Sequence, residues 1–313
     1  MVITVVIASF LVFILMRSVP GTIVDSLAAQ YMGQLEADMD INLNDVKALL
    51  EAELGLDRPF MVQYVEWFGK AVRGDLGNSL WRKTPVVEEI AKRFPVTIEL
   101  GLLAFVLAQL IAFPIGIYSA IRQETLGDFT GRGFAILLVA VPDFWIGTMI
   151  VVFGSIWWRY APPIRFIGLF DDPVGHFKMI LIPAAVLGMA LAGGQMRMTR
   201  TMLLEVLRQD YVRTAWSKGL KENVIILRHA LRNALIPVVT SVGPQLLIMV
   251  SGSVVIEQIF NLPGMGRLTL QAIETRDYPV VSGVLLVFAV ALVLMNLLID
   301  LTYSFLDPRI RYD

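Results

Sequence analysis

The chain has no cysteine among its 313 residues, which excludes disulfides, thiolate nucleophiles and thiolate metal sites. Histidine is almost as scarce. His176 and His229 are the whole supply; they fall in loops of opposite sidedness, and no H-E-x-x-H occurs, so metalloprotease chemistry on a helix has no ligands. Ser251 and Ser253 have no histidine within their stretch, which removes a hydrolytic triad. No G-x-x-x-x-G-K-[ST] sequence is present to cradle nucleotide phosphates, so any ATP used with this chain is bound by another polypeptide. Charged residues make up only 17%, and there is neither an internal repeat nor a low-complexity tract.

What is present is apolar: 56% hydrophobic residues and a mean hydropathy of +0.68 are too high for a soluble domain of this length, and the chain reads as an all-α polytopic membrane protein. The pattern predicts six transmembrane helices. The first is the run Met1 to Met16 within residues 1–19, about 24 Å at about 1.5 Å per residue. That is short of the roughly 30 Å hydrocarbon core, as expected of a clipped span. Arg17 follows the run and no basic region precedes it, which argues against a cleaved signal peptide. The others run from about Pro95 to Ala120, Gly133 to Trp158, Met179 to Met198, Leu235 to Phe260 and Val280 to Leu306. Trp157, Trp158 and Tyr160 read as an aromatic belt.

Between the first two spans lies a mixed-polar insert, residues 20–94, with Asp25, Glu36, Asp38, Asp40, Asp45, Glu51, Glu53 and Asp57 against only Lys47 and Arg58 through that point. Its capping signals predict a helix from Asn44 to Gly55, a second from Asp57-Arg58-Pro59 to Gly74 and a third starting at Thr84-Pro85. Tyr64, Trp67 and Phe68 are expected to form a small core against the membrane surface, with ligand contact as the competing reading. Residues 95–313 then hold the other five spans.

Positive charge collects in the loop 199–234 and at its entry: Arg197, Arg200, Arg208, Arg213, Lys218, Lys221, Arg228 and Arg232. Short basic loops stay in the cytoplasm. With this loop inside, six spans put both termini inside, and the short inner segments carry twelve Lys or Arg residues against five in the short outer ones. Within the loop a short helix is expected from Tyr211 to Lys218, capped by Asp210 and ended by Gly219, with Asn223 capping the next. Tyr211, Ala215 and Lys218 share one face, beside Val212 and Trp216. Such a helix either lies at lipid headgroups as a linker or docks on a soluble partner.

Carboxylates inside spans are expensive and point to function. Asp143, after the mid-span Pro142, and Glu257 are the candidates for lining a pathway, with helix-to-helix hydrogen bonding as the alternative; Asp300 is a further one, while Glu99 is near enough to a span end to be interfacial. Gly188, Gly193, Gly194, Gly243 and Gly252 suit close helix packing. Pro263, Gly264 and Gly266 predict a turn before an amphipathic stretch, Leu268 to Ile273.

The segment Asp210-Tyr-Val-Arg-Thr-Ala-Trp-Ser-Lys-Gly219, followed by Arg228-His-Ala-Leu-Arg-Asn-Ala-Leu-Ile-Pro237, resembles the coupling loop of ABC importer permeases of the dipeptide/oligopeptide/nickel family. So do Gly55-Leu-Asp-Arg-Pro59, Arg73-Gly-Asp-Leu-Gly77 with Ser79, Pro263-Gly-Met-Gly-Arg267, Arg276-Asp-Tyr-Pro279 and Asp307-Pro-Arg-Ile310. Trp216 departs from the pattern, standing where a basic or small residue is expected. The resemblance implies a transport subunit with no catalysis of its own, partnered by a second homologous permease, two ATPase subunits that hydrolyse ATP with Mg, and an extracytoplasmic substrate-binding protein. It assigns Asp210, Tyr211, Val212, Arg213, Thr214, Ala215, Trp216, Lys218 and Gly219 to ATPase coupling and implies no cofactor on this chain. Peptides, nickel chelates, glutathione and sugars are all substrates within the similar family. The alternative is a stand-alone secondary transporter or channel, which would usually show inverted repeats or paired intramembrane charges.

Overall fold

The computed structural model describes residues 2–18, 24, 25, 28, 43–53, 55–241, 245 and 253–306. Among these the regular elements are helices, with one isolated bridge between Asn78 and Pro85. In chain order they are α1 (Val2–Ser18), α2 (Leu43–Glu53), α3 (Phe60–Val72), α4 (Val86–Ile121), α5 (Leu126–Ala140), α6 (Asp143–Trp158), α7 (Pro173–Leu207), α8 (Asp210–Ser217) and α9 (Glu222–Val224). A π-helical turn, Ile225–Ala230, then leads into α10 (Leu231–Thr240), α11 (Met265–Glu274) and α12 (Tyr278–Leu306). Among the described residues α4, α7 and the stretch Tyr278–Ile299 of α12 are long and apolar enough to cross a membrane, and α5 with α6 would make a fourth, broken span.

The break corrects the expected third span, which was to be one kinked helix from Gly133 to Trp158. α5 and α6 meet at 90°. Pro142 has no N–H and its ring crowds the residue before it out of the helical region. Val141 accordingly lies at φ −91°, ψ 121°, α5 stops, and Pro142 becomes the N-cap of a new helix.

Other boundaries move as well. α4 is one helix of 36 residues, so the third helix of the insert and the second span are continuous through Phe94 and Pro95. α7 is 35 residues, about 52 Å at about 1.5 Å per residue, and so carries Arg197 and Arg200 of the basic region on a rigid rod. Its start is fixed by Asp172, whose side chain accepts from Gly175 N, with Pro173 at the first helical position. Asn44 falls inside α2, and Pro59, with no side-chain cap, is the N-cap of α3. The fifth span is described only in part, as α10 and helical residues 253–259; Gly243, Gly252, most of the acidic stretch before Asn44 and the tail from Asp307 lie outside the described residues.

The chain divides into two compact units, Met1–Arg93 with Leu268–Val293, and Phe94–Arg267 with Leu294–Asp313. In the first, the rings of α3 pack on α1: Tyr64 is buried, its hydroxyl lies 3.0 Å from Ser9 Oγ and donates to Val6 O at 3.2 Å, Phe10, Phe13 and Trp67 lie edge-on or tilted to its ring, Phe68 stacks on it, and Phe60 packs on Phe10 and Phe13. Tyr64, Trp67 and Phe68 do cluster, as the sequence suggested, but the rings they meet are those of Phe10 and Phe13 on α1. In the second unit, Leu100, Ile180, Ile256 and Phe260 are fully enclosed. A Cβ built on Gly188 would lie 2.6 Å from Ala104 O of α4, and one on Gly193 2.8 Å from Ala135 O of α5, so these two glycines set how closely α7 approaches both neighbours. Gly194 has nothing within 4 Å.

Candidate functional site

α8 begins at Asp210 rather than Tyr211; the extended residue before it, Gln209 (φ −72°, ψ 149°), is the N-cap and gives no side-chain bond. Asp210 instead sits in the first turn, where a carboxylate suits the positive end of the helix. Lys218 is the C-cap and Gly219, at φ +75°, takes the left-handed turn that ends the element. The next cap is Lys221, and Asn223 lies within α9.

The faces of α8 differ from the sequence expectation. Val212 (0% exposed) and Ala215 (7%) form an internal seam with Ile225 of the π-helical turn, against Val206 and Leu207 at the end of α7. Ala215 therefore does not share an open face with Tyr211 and Lys218. In an eight-residue helix the only apolar pair at i, i+3 spacing is the one that must be buried to hold the helix down. The open side carries Asp210, Tyr211, Arg213, Thr214, Trp216, Lys218 and Gly219, all exposed. Tyr211 is steadied by Asn233, whose Nδ2 donates to its hydroxyl at 2.9 Å. The Asp210–Arg213 ion pair, at 3.5 Å between two highly exposed side chains, adds little stability.

The two carboxylates singled out as pathway candidates have opposite surroundings. Asp143 is half-buried on the first turn of α6 at the elbow, its Oδ1 accepting from Phe144 N at 2.7 Å. Glu257 is 0% exposed. Its Oε1 accepts from Thr97 Oγ1 at 2.7 Å and Ser253 Oγ at 3.1 Å, its Oε2 accepts from Arg267 N at 3.0 Å, and Gly264 packs directly on the carboxyl group. Thr97 Oγ1 in turn accepts from Met265 N at 2.8 Å. The Pro263-Gly-Met-Gly-Arg267 turn is thus built around this carboxylate and tied through it to α4. Glu257 does what the alternative reading of it required: it joins segments by hydrogen bonds.

With this geometry in place, comparison with protein-family models matches residues 112–312 to the family described as binding-protein-dependent transport system inner membrane component. The chain belongs to that family. A Brucella abortus (strain 2308) protein named as a peptide transport system permease is 38% identical over 307 residues, covering 98% of this chain and 95% of that protein. The dipeptide transport system permease protein DppB of Escherichia coli (strain K12) is 38% identical over 288 residues, 85% of each chain. Among solved structures, the inward-facing MetNI methionine ABC transporter superposes with a TM-score of 0.56 at 16% identity, over 70% of this chain and 96% of that one. A crystal structure of an amino acid ABC transporter with histidines gives 0.52 at 12% identity, over 71% and 94%. These two likenesses establish the ABC-permease fold of the helical core.

The permease also brings together two of the motifs that the sequence singled out 200 residues apart. Ser79, at the end of Arg73-Gly-Asp-Leu-Gly77, donates to Oδ2 of Asp277 at 2.5 Å, and Leu80 N reaches Oδ1 at 3.2 Å. Ser79 Oγ accepts from Arg82 N at 3.0 Å, and Trp81 Nε1 donates to Thr275 O at 2.7 Å. Ser79 and Asp277 are both buried. Two pairs in the permease were not anticipated. Asp128 and Arg200 form a buried fork, and His176, enclosed between Phe166 and Phe177, bonds Glu99 at 2.6 Å and Ile167 O at 2.7 Å. Glu99 is thus held by His176, a partner the sequence did not suggest. The only sequence signal for either pair was opposite charges near span ends.

Proposed function

We propose that this permease is the membrane subunit of an ATP-driven importer for peptides or a similar small solute, delivered by an extracytoplasmic binding protein, and that α8 is its contact with an ATPase subunit. The observation that carries the reading is the division of labour in α8: an apolar seam, Val212 and Ala215, anchors it to the end of α7, and a fully open side offers two aromatic and several charged groups. A helix serving only as a linker at headgroups has no need of an apolar seam to the end of a 35-residue rod. Asp210, Tyr211, Arg213, Thr214, Trp216 and Lys218 then make the contact, Val212 and Ala215 hold it in place and Gly219 turns the chain away. Closure of the ATPase subunits on ATP would move α8 and rock the spans between inward- and outward-open states, with Asp143 facing the pathway at the elbow.

The complex would contain a second homologous permease and two ATPase subunits that hydrolyse ATP with Mg; this chain, lacking a Walker A loop, binds none of it and carries no cofactor. We place six spans in the cell membrane with both termini and the loop 199–234 in the cytoplasm, on the twelve-to-five charge distribution, and residues 20–94 outside. Peptide is the favoured substrate class because the relatives from Brucella and Escherichia, 38% identical, are named for peptide and dipeptide transport. The test is to purify the tagged permease, identify the ATPase that accompanies it, and identify the ligand bound to the cognate binding protein. A peptide ligand and a retained ATPase are expected. Uptake by the permease alone, with no ATPase present, would contradict the proposal and favour a secondary transporter.

A further inference from the structure

α7 continues past the apolar region to Leu207, two residues short of α8, and Val206 and Leu207 pack on the Val212, Ala215 and Ile225 seam. Seven residues before that end, Arg200 closes a two-pronged ion pair on Asp128 in the first turn of α5: Nε donates to Oδ1 at 2.8 Å and Nη2 to Oδ2 at 2.9 Å. The Asp128 side chain is 0% exposed and that of Arg200 18%. Oδ2 also accepts from Glu124 N at 3.0 Å, and Arg132 stands 3.5 Å from Oδ1. From this anchored turn α5 runs along α7, past the close approach at Gly193, to the 90° elbow with α6, where Asp143 sits.

A buried ion pair is a poor stabiliser, because an apolar pair of similar size usually does as well or better. The rest of the α5–α7 contact includes the apolar cluster of Ala135, Leu138, Ala192 and Met196, and apolar attraction is non-directional. A guanidinium–carboxylate fork fixes orientation as well as distance. We propose that Asp128 and Arg200 are a positioning pair that locks α5 to α7 at the cytoplasmic end, so that movement of α8, carried up α7, reaches the α5–α6 elbow instead of being lost as slip between the helices. The inference rests on the coupling assignment of α8 and adds the route by which the motion leaves it.

The test is transport per ATP hydrolysed, measured for the whole complex in proteoliposomes with a radiolabelled dipeptide, its cognate binding protein and Mg-ATP. Either Asp128→Asn or Arg200→Met alone leaves the partner without its counterpart and is expected to lower the yield of assembled complex. The double variant Asp128→Asn/Arg200→Met removes both charges of the pair and is expected to restore the yield, because the large cost comes from leaving one buried charge without its partner. Yet it should transport at least about fivefold less per ATP, the lower end for coupling between sites. Arg200→Lys, which keeps the charge and loses the fork, serves if the double variant does not assemble, and is expected to show a smaller drop in the same ratio. A wild-type ratio in the assembled double variant, or in Arg200→Lys, overturns the proposal and leaves the pair a matter of folding. Failure of the coupling assignment itself looks different: Trp216→Asp and Arg213→Glu would then retain the ATPase and transport normally.

Discussion

Replacing Glu257 separates a structural carboxylate from one that meets the substrate. Its acceptor oxygens serve Thr97 Oγ1 at 2.7 Å, Ser253 Oγ at 3.1 Å and Arg267 N at 3.0 Å, with Gly264 closing the remaining side. In Glu257→Gln the amide oxygen still accepts from Arg267 N, while the amide nitrogen faces two hydroxyls that can turn to accept. Shape and hydrogen bonding both survive. In Glu257→Leu the shape is nearly kept, but the Arg267 amide and the Thr97 hydroxyl lose their acceptor at a position that is fully buried. A buried polar group left without its partner costs about 1–3 kcal/mol, so the leucine variant should be destabilised by about 2–6 kcal/mol. The assay is size-exclusion yield of assembled complex together with uptake per assembled complex. Glutamine is expected near wild type in both and leucine to lose assembly. If the glutamine variant assembles normally but its substrate affinity or turnover changes, the charge acts in the pathway and the structural account of Glu257 is wrong.

Ala215→Glu would place a carboxylate in the Val212–Ile225 seam; it should expose the loop to limited proteolysis as well as release the ATPase, whereas Trp216→Asp on the open side should release the ATPase with proteolysis unchanged. Ser79→Ala removes the donor at 2.5 Å from a carboxylate only 4% exposed and is expected to lower stability by about 1–3 kcal/mol, read as earlier heat-induced aggregation in detergent; an unchanged profile would show that the Ser79–Asp277 bond is dispensable. Gly188→Leu sets a side chain where even a Cβ would lie 2.6 Å from Ala104 O, so α4 and α7 must part and the complex should fail to assemble, while Gly194→Ala, in open space, should not.

The family, the short helix after α7 and the long apolar helices α4, α7 and α12 were legible because each rests on a local signal: apolar runs, a motif in a basic segment, turn residues at helix ends. The broken span was only half legible. Pro142 announced a disturbance, but whether a proline kinks a helix or ends it depends on what Val141 and the flanking helices pack against, and in this chain it ends. The open face of α8 was misjudged for a related reason. Spacing put Ala215 beside Tyr211, but an alanine on a short amphipathic helix can face either way, and Ile225 decided it. Glu257 was found by its cost, but the sequence left its role open between pathway lining and hydrogen bonding between helices, since its donors include Thr97, 160 residues away, and a backbone amide. The Asp128–Arg200 fork was invisible for want of any local pattern linking residues 72 apart.

The proposed contact between α8 and an ATPase subunit is tested most directly by cross-linking, which the absence of cysteine in the native chain makes clean. Single variants Arg213→Cys, Trp216→Cys and Val212→Cys are treated with a short thiol-reactive photo-cross-linker in membranes containing the whole complex. Positions 213 and 216 should form a covalent adduct with the ATPase and position 212, enclosed in the seam, should not. An ATPase that copurifies with all three variants but is captured from neither 213 nor 216 would contradict the account.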